Sequence, residues 1–305
     1  MPDDVRPLGC EPERILDSEL EDTMSATTPQ GQRVHANGID IHYLEQGSGE
    51  PLVLLHGGVV STNPIWAGVP VAYASHMDTL AEHFRVIAPD TRGCGRTVHS
   101  GGPISFDLLA DDVAALIGAL DLERPLIAGF SEGAITATIL AIRQPDAVRA
   151  IVNDAGFDAF DPDAPTIAMM RQILGGSPDA TEPDPDAAAR GFEASEQMRL
   201  MFELMKRDQD EGQGEGHWRE YLRLSWDRTT QPPGYTFGDL AKITVPTLIL
   251  AGDRDAFCPV EQAVGAYRQL PDGELAILPG HGHHIPPTAV QTTVEFFTRR
   301  LAARS

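Results

Sequence analysis

The chain has 305 residues, 42% of them hydrophobic, and a formal net charge of −22. That is enough apolar material for one large α/β domain or two ordinary ones. The acidity excludes nucleic acid and anionic membrane surfaces as partners, because counterion release needs Lys and Arg clusters and only Lys206 and Lys242 are lysines.

The charge itself is read as solubility and identifies no substrate. Cys10, Cys94 and Cys258 are odd in number and lack C-x-x-C spacing, which fits no disulfide framework and suits a reducing cytoplasm. Residues 1–31 form an acidic, proline-bearing arm. It has neither the basic nor the apolar region of a secretory signal, and no apolar run in the chain is long enough to span a bilayer. The arm is expected as an unpacked tail; the alternative is a homodimer in which the arm packs on a second copy, or in which the central insertion described below does so.

From Arg33 onward, strand-like and helix-like segments alternate. VHANGIDIHYLEQG carries Asn37-Gly38 between two alternating runs, a hairpin signal. PLVLLHGG (51–58) reads as a buried strand running into a glycine loop, and RVIAPD (85–90) as the next strand. SFDLLADDVAALIGALDL (105–122) places Leu108, Leu109, Val113, Leu116 and Leu120 on one helical face. Strand PLIAGF, helix EGAITATILAIRQ and strand VRAIVNDAG follow. After a long interruption come strand TLILAGD (247–253), helix VEQAVGAYRQL (260–270), strand ELAILPG (274–280) and a final amphipathic helix. This alternation predicts a mostly parallel sheet covered by helices on both faces, with ligands binding beyond the carboxyl ends of the strands.

The interruption, 157–242, is rich in Met and aromatic residues. It is expected to form a helical cap over the strand ends, with 32–156 and 243–305 as the core. Met169, Met170, Met198, Met201 and Met205 read as cap interior, with a minority facing a substrate cavity.

Gly129-Phe130-Ser131-Glu132-Gly133 matches G-x-S-x-G between a strand and a helix, a context in which a sharp turn projects the serine Oγ above the sheet. A serine needs a base, and the base an orienting carboxylate. Later strand ends carry both, in the order Ser, Asp, His: Asp253 and Asp255, then His281, His283 and His284. Asp255 lies further into its loop and is the expected acid; Asp253 is expected to order the turn, and Asp154 is a third candidate. His283 follows Gly282 and is expected over Ser131. The HGHH run also raises a metal site, which no accompanying set of acidic and histidine ligands supports. His56-Gly57-Gly58 supplies backbone N–H groups, so Gly58 and Glu132 are the expected oxyanion donors, with His56 bonding the loop. The Glu132 side chain either enters the helix–sheet packing or disfavours anionic acyl groups.

Together HGG (56–58), PDTRGCGRT (89–97), GFSEG (129–133), GDRDAFCPVEQ (252–262) and LPGHGH (278–283) resemble the α/β-hydrolase superfamily, in its capped serine esterase and lactonase branch, from Arg33 to Ala303. The resemblance implies an eight-stranded, mostly parallel sheet with helices on both faces and a helical cap inserted before the acid-bearing strand. It also implies Ser131 as nucleophile, His283 as base and Asp255 as acid, with no cofactor and no metal. The chain departs from the family at Glu132 and Cys94 and in the length of the loop 59–77. A serine nucleophile argues against the dehalogenase and epoxide-hydrolase branches. The expected substrate is a small, largely apolar ester or lactone touched by Val59, Trp66, Phe130, Phe157, Trp218, Trp226 and His284. The same triad also serves C–C hydrolysis, perhydrolysis and acyl transfer, and a ligand-binding protein with little turnover is the alternative from another class. An unpacked arm predicts that deleting residues 1–31 leaves the subunit count by light scattering unchanged; a halved assembly mass would assign the arm to a dimer.

Overall fold

The computed structural model describes residues 31–303 apart from 67–68, 70–72, 100, 162–163, 165, 178–179, 194 and 231–232. Except for Gly31, the N-terminal arm and its expected role in a dimer therefore lie outside the described residues.

The first two strands, β1 (Gln32–Ala36) and β2 (Ile39–Gln46), are antiparallel and turn at Asn37-Gly38. Both turn residues have positive φ, 46° and 75°, the backbone that matches a two-residue hairpin to the twist of its strands. The sheet continues with β3 (Pro51–Leu55), β4 (Arg85–Pro89), β5 (Leu126–Phe130), β6 (Ala150–Asp154), β7 (Thr247–Gly252) and β8 (Gly273–Leu278). Its eight strands lie in the order β1-β2-β4-β3-β5-β6-β7-β8. β2 joins β4 antiparallel, and every pairing beyond β4 is parallel. All residues of β5, β6 and β7 are buried, because helices cover both faces; that burial selects continuous apolar runs over alternation.

The helices are α1 (Met77–Ala81), α2 (Phe106–Ala119), α3 (Glu132–Arg143), then α4 (Thr166–Ile173), α5 (Pro185–Phe192), α6 (Glu196–Gln213) and α7 (His217–Thr230) between β6 and β7, and finally α8 (Val260–Tyr267) and α9 (Pro287–Ala302). The α4–α7 segment builds a second apolar cluster that includes Phe192, Phe202, Met205, Trp218, Tyr221 and Trp226. Of the five methionines expected inside it, only Met205 is fully buried, and Met198 is exposed. The aromatic rings fill the interior instead, Phe202 stacking on Phe192 and meeting Trp218 edge-on.

Ser105 starts α2 by accepting a hydrogen bond from the Leu108 N–H, a side-chain cap that satisfies a donor left free by the helix start. Leu109, Val113 and Leu116 are buried as their spacing predicts, but Leu108 and Leu120 sit at the margin, half-buried. The buried face is rotated toward Asp112, and the reason is electrostatic. Asp112 is held by Arg92 Nε (2.7 Å) and Nη2 (2.5 Å), and its Oδ1 also accepts from Asn37 Nδ2 (2.6 Å). Arg92 Nη2 reaches the Asn37 carbonyl at 3.1 Å. One buried ion pair thereby ties the β1–β2 hairpin, the loop after β4 and α2 together. Removing one member of such a pair strands the other in low dielectric. Asp112→Ala is expected to lower the unfolding free energy by about 3 kcal/mol, read from the urea midpoint; a change within about 0.5 kcal/mol, as at ordinary surface sites, would contradict it.

Candidate active site

The site is assembled at the carboxyl ends of five strands of the sheet, with β6 between the third and fourth: the 56–58 loop after β3, Asp90 to Thr97 after β4, Ser131 after β5, Asp255 after β7 and His283 after β8. Ser131 has φ 53° and ψ −119°, a strained conformation for a residue with a side chain. The turn is tight enough that a Cβ at Gly129 would strike the backbone of Gly133, and one at Gly133 the carbonyl oxygens of Leu55 and His56. Serine at a helix start ordinarily caps the helix, yet Ser131 makes no such bond. Its Oγ lies 3.1 Å from His283 Nε2 instead.

His283 Nδ1 is 2.8 Å from Asp255 Oδ2. The other Asp255 oxygen accepts the N–H groups of Phe257 (2.8 Å) and Cys258 (3.0 Å). With the carboxylate only 1% exposed, these donors fix its orientation and make it an acceptor toward the imidazole. The imidazole packs against two aromatic rings, Phe130 at 4.8 Å and Phe257 at 4.7 Å between centroids. Asp253 takes a different part: its Oδ1 accepts the Gly280 N–H at 2.5 Å and orders the loops after β7 and β8. His281 and His284 pair with each other at 3.0 Å.

The glycine loop is held by His56, whose Nε2 accepts the Thr91 N–H (3.0 Å) while Nδ1 meets the Gly57 carbonyl (2.7 Å). Among the described residues, neither the Gly58 N–H nor the Glu132 N–H has an acceptor. Val59 has φ 63°, rare for a β-branched residue, and its N–H donates to the Tyr221 hydroxyl at 2.7 Å. Glu132 turns its carboxylate toward Gly58: a Cβ there would sit 2.8 Å from Glu132 Oε1. Glu132 Oε2 is bound by Arg228 Nε and Nη2, each at 2.9 Å. Of the two alternatives for this side chain, packing between helix and sheet is set aside.

Most of the residues expected at the substrate are interior in this structure. Trp66 is 0% exposed, and its Nε1 donates to Asp208 at 2.6 Å. Trp218 and Trp226 are buried in the second apolar cluster, and Phe157 in the main core. Aromatic content in an inserted segment followed the need to fill its own interior. Phe130 is buried beneath His283, Val59 is half-buried at the loop, and His284 faces His281. The residues that sequence reading missed are polar: Tyr221, Ser225 and Arg228 on α7, and Asp208 on α6. Positions 221, 225 and 228 share one helical face, a stripe that was legible but has no apolar period to draw attention. Asp208 accepts from both Trp66 and Asn63 Nδ2 (2.9 Å), and Gln209 bonds the Gly95 N–H (3.1 Å) and Cys94 Sγ (3.3 Å).

Asp154 does not reach His283; it ends β6 as a buried carboxyl. Burial, then the charge of Asp255, hold it well above the ordinary carboxylate range, offset in part by the Tyr73 hydroxyl. The folded protein therefore binds this proton more tightly than the unfolded chain does. That contribution to stability is complete below the unfolded value near pH 4 and is lost as pH rises through the folded one. Asp154→Asn removes the loss, so its Tm relative to the native protein is expected to climb between pH 4 and pH 8. A difference independent of pH would contradict the assignment.

Residues 50–289 match the family described as alpha/beta hydrolase fold, and the chain belongs to that family. It is an enzyme of the hydrolase class. An (E)-2-((N-methylformamido)methylene)succinate hydrolase of Acinetobacter baylyi is 25% identical, over 83% of this chain and 91% of its own length. A 2-hydroxy-6-oxo-2,4-heptadienoate hydrolase of Pseudomonas putida is 26% identical, over 84% and 90%. Among solved structures, a carboxylesterase of Bacillus subtilis superposes with a TM-score of 0.68 at 21% identity, covering 88% of this chain and 91% of that one; at that identity the likeness is one of fold. No helix among the described residues is long and apolar enough to cross a membrane.

Proposed function

We propose that the protein is a serine hydrolase of carboxylic esters or lactones, acting through an acyl-enzyme on a small, largely apolar substrate. The observation that carries this reading is the chain Ser131 Oγ–His283 Nε2 (3.1 Å) and His283 Nδ1–Asp255 Oδ2 (2.8 Å), built on a strained serine that leaves its own helix uncapped. Ser131 attacks the acyl carbon while His283 Nε2 takes its proton, and Asp255 stabilises the imidazolium that forms. Negative charge on the former carbonyl oxygen is met by the N–H groups of Gly58 and Glu132, at the start of α3 where the helix dipole favours it. His283 then protonates the leaving alkoxide, and a water activated by the same ring releases the acid. The α4–α7 segment acts as the cap, with no cofactor or metal in the cycle.

Hydrolysis of a C–C bond is the second reading. It is supported by the 2-hydroxy-6-oxo-2,4-heptadienoate hydrolase of Pseudomonas putida, which matches this chain over most of its length. The same serine and histidine would serve, with a carbanion equivalent as leaving group.

A fluorophosphonate probe is expected to add once to the native protein, not at all to Ser131→Ala, and at least about a thousandfold more slowly to His283→Ala, with His284→Ala close to native. Equal labelling of the serine variant would end the proposal. Turnover of p-nitrophenyl butyrate or of a lactone, against a 2-hydroxy-6-oxo dienoate, then separates ester chemistry from C–C chemistry.

A further inference from the structure

The residue after the proposed nucleophile carries a carboxylate, and that carboxylate lies against Gly58. One negatively charged side chain therefore lies beside Gly58, which supplies one proposed oxyanion donor, and belongs to the residue that supplies the other. Left alone, such a group would oppose the charge that develops on the acyl oxygen, in a site where water screens little. The structure places a cation on it. Arg228, on α7, is only 4% exposed; its Nε donates to Glu132 Oε2 at 2.9 Å, and Nη2 stands at the same distance as an ion-pair contact. Nη2 also donates to Ser225 Oγ (2.9 Å) and, more weakly, to the Tyr221 hydroxyl (3.4 Å). Burial works against the guanidinium charge, but Glu132 and Tyr221 more than offset it, so Arg228 stays charged. The Tyr221 hydroxyl in turn receives the Val59 N–H, next to the Gly58 donor. One face of α7 thus holds the loop on one side of the oxyanion site and the acidic side chain on the other.

We propose that Arg228 is a positioning residue for this reaction: it neutralises Glu132 and ties its carboxylate back, so that the Gly58 and Glu132 N–H groups present a net favourable field to the oxyanion. This rests on the serine-hydrolase reading above. It gives the departure at Glu132 a physical consequence: an acid at this position requires a partner cation from the inserted helices. Arg228 acts through Glu132 and does not touch the reacting atoms.

The test uses the saturable reaction of a fluorophosphonate with Ser131, whose phosphoryl oxygen occupies the same donors. Its maximal rate kinact and half-saturating concentration KI are measured for the full-length protein, Arg228→Met, Glu132→Gln and the double variant, with Tm for each. Arg228→Met is expected to lower kinact about a hundredfold, the scale of a lost oxyanion donor, with KI changed less than about threefold. The double variant, which carries neither charge, is expected to regain at least about tenfold of that loss. A loss confined to KI, no loss at all, or an equal loss in the double variant would each overturn the proposal, because a helix that merely docks the cap predicts those results. If Arg228→Met does not fold, Arg228→Lys is read in its place: kinact within about fivefold of native supports neutralisation, and a hundredfold loss overturns it. If the native protein itself does not label, the serine-hydrolase reading falls and this one with it; native labelling with an unaltered Arg228 variant removes this inference alone.

Discussion

The site depends on a backbone turn that has no room for a side chain two residues before Ser131 or two residues after it. Gly129 and Gly133 pass so close to neighbouring carbonyls that a methyl group on either would strike backbone, and Gly156 stands in the same relation to the Ser131 carbonyl. The Ser131 N–H donates to the Asp154 carbonyl at 2.8 Å, which extends the β5–β6 pairing by one residue into the turn. The strain of a positive φ at Ser131 is thus held by contacts of the sheet itself and of α3. The hydroxyl is lifted clear of its helix and faces a histidine that arrives from 152 residues further along the chain. Sheet order does the rest, since β5, β6, β7 and β8 are adjacent and their loops open on one edge.

Among the described residues, polar contacts fasten the α4–α7 segment to that edge, including Thr166 Oγ1 to the Phe257 carbonyl at 2.9 Å. On one side Asp208 and Gln209 bind Asn63, Trp66, Cys94 and Gly95, in the loops after β3 and β4. On the other, Arg228 and Tyr221 meet Glu132 and Val59. Apolar burial dominates inside each cluster, but burial is non-directional. Hydrogen bonds to loop backbone set the register of one layer on the other, because a misplaced buried donor or acceptor costs more than a well-placed one contributes.

Much of this was readable in the sequence because it is local. Asn37-Gly38 forces a hairpin wherever it sits between alternating strands. The apolar runs of β3, β5, β6 and β7 announce two-sided burial, and the spacing around Ser131 announces a turn. The loops bearing Asp255 and His283 were legible from strand ends in the right order. Residue type is a weaker guide to exposure: Trp66, Trp218, Trp226 and Phe157 were expected against substrate, and all four are buried in the structure. The polar partners that matter most, Arg228 with Glu132 and Arg92 with Asp112, are 96 and 20 residues apart. No periodicity signals such a pair, since its members meet only once the sheet has brought distant loops together.

The two rings flanking His283 also limit how that residue moves. Phe130 and Phe257 stand at 38° and 34° to the imidazole, with centroids 4.8 and 4.7 Å away, so its motion is coupled to both rings. In the proposed cycle the same nitrogen must collect a proton from the serine and deliver it to a departing group a short arc away. Because Phe130 belongs to β5 and is buried in the core, the setting of the ring that handles the proton is shared between the core and the loop that carries it.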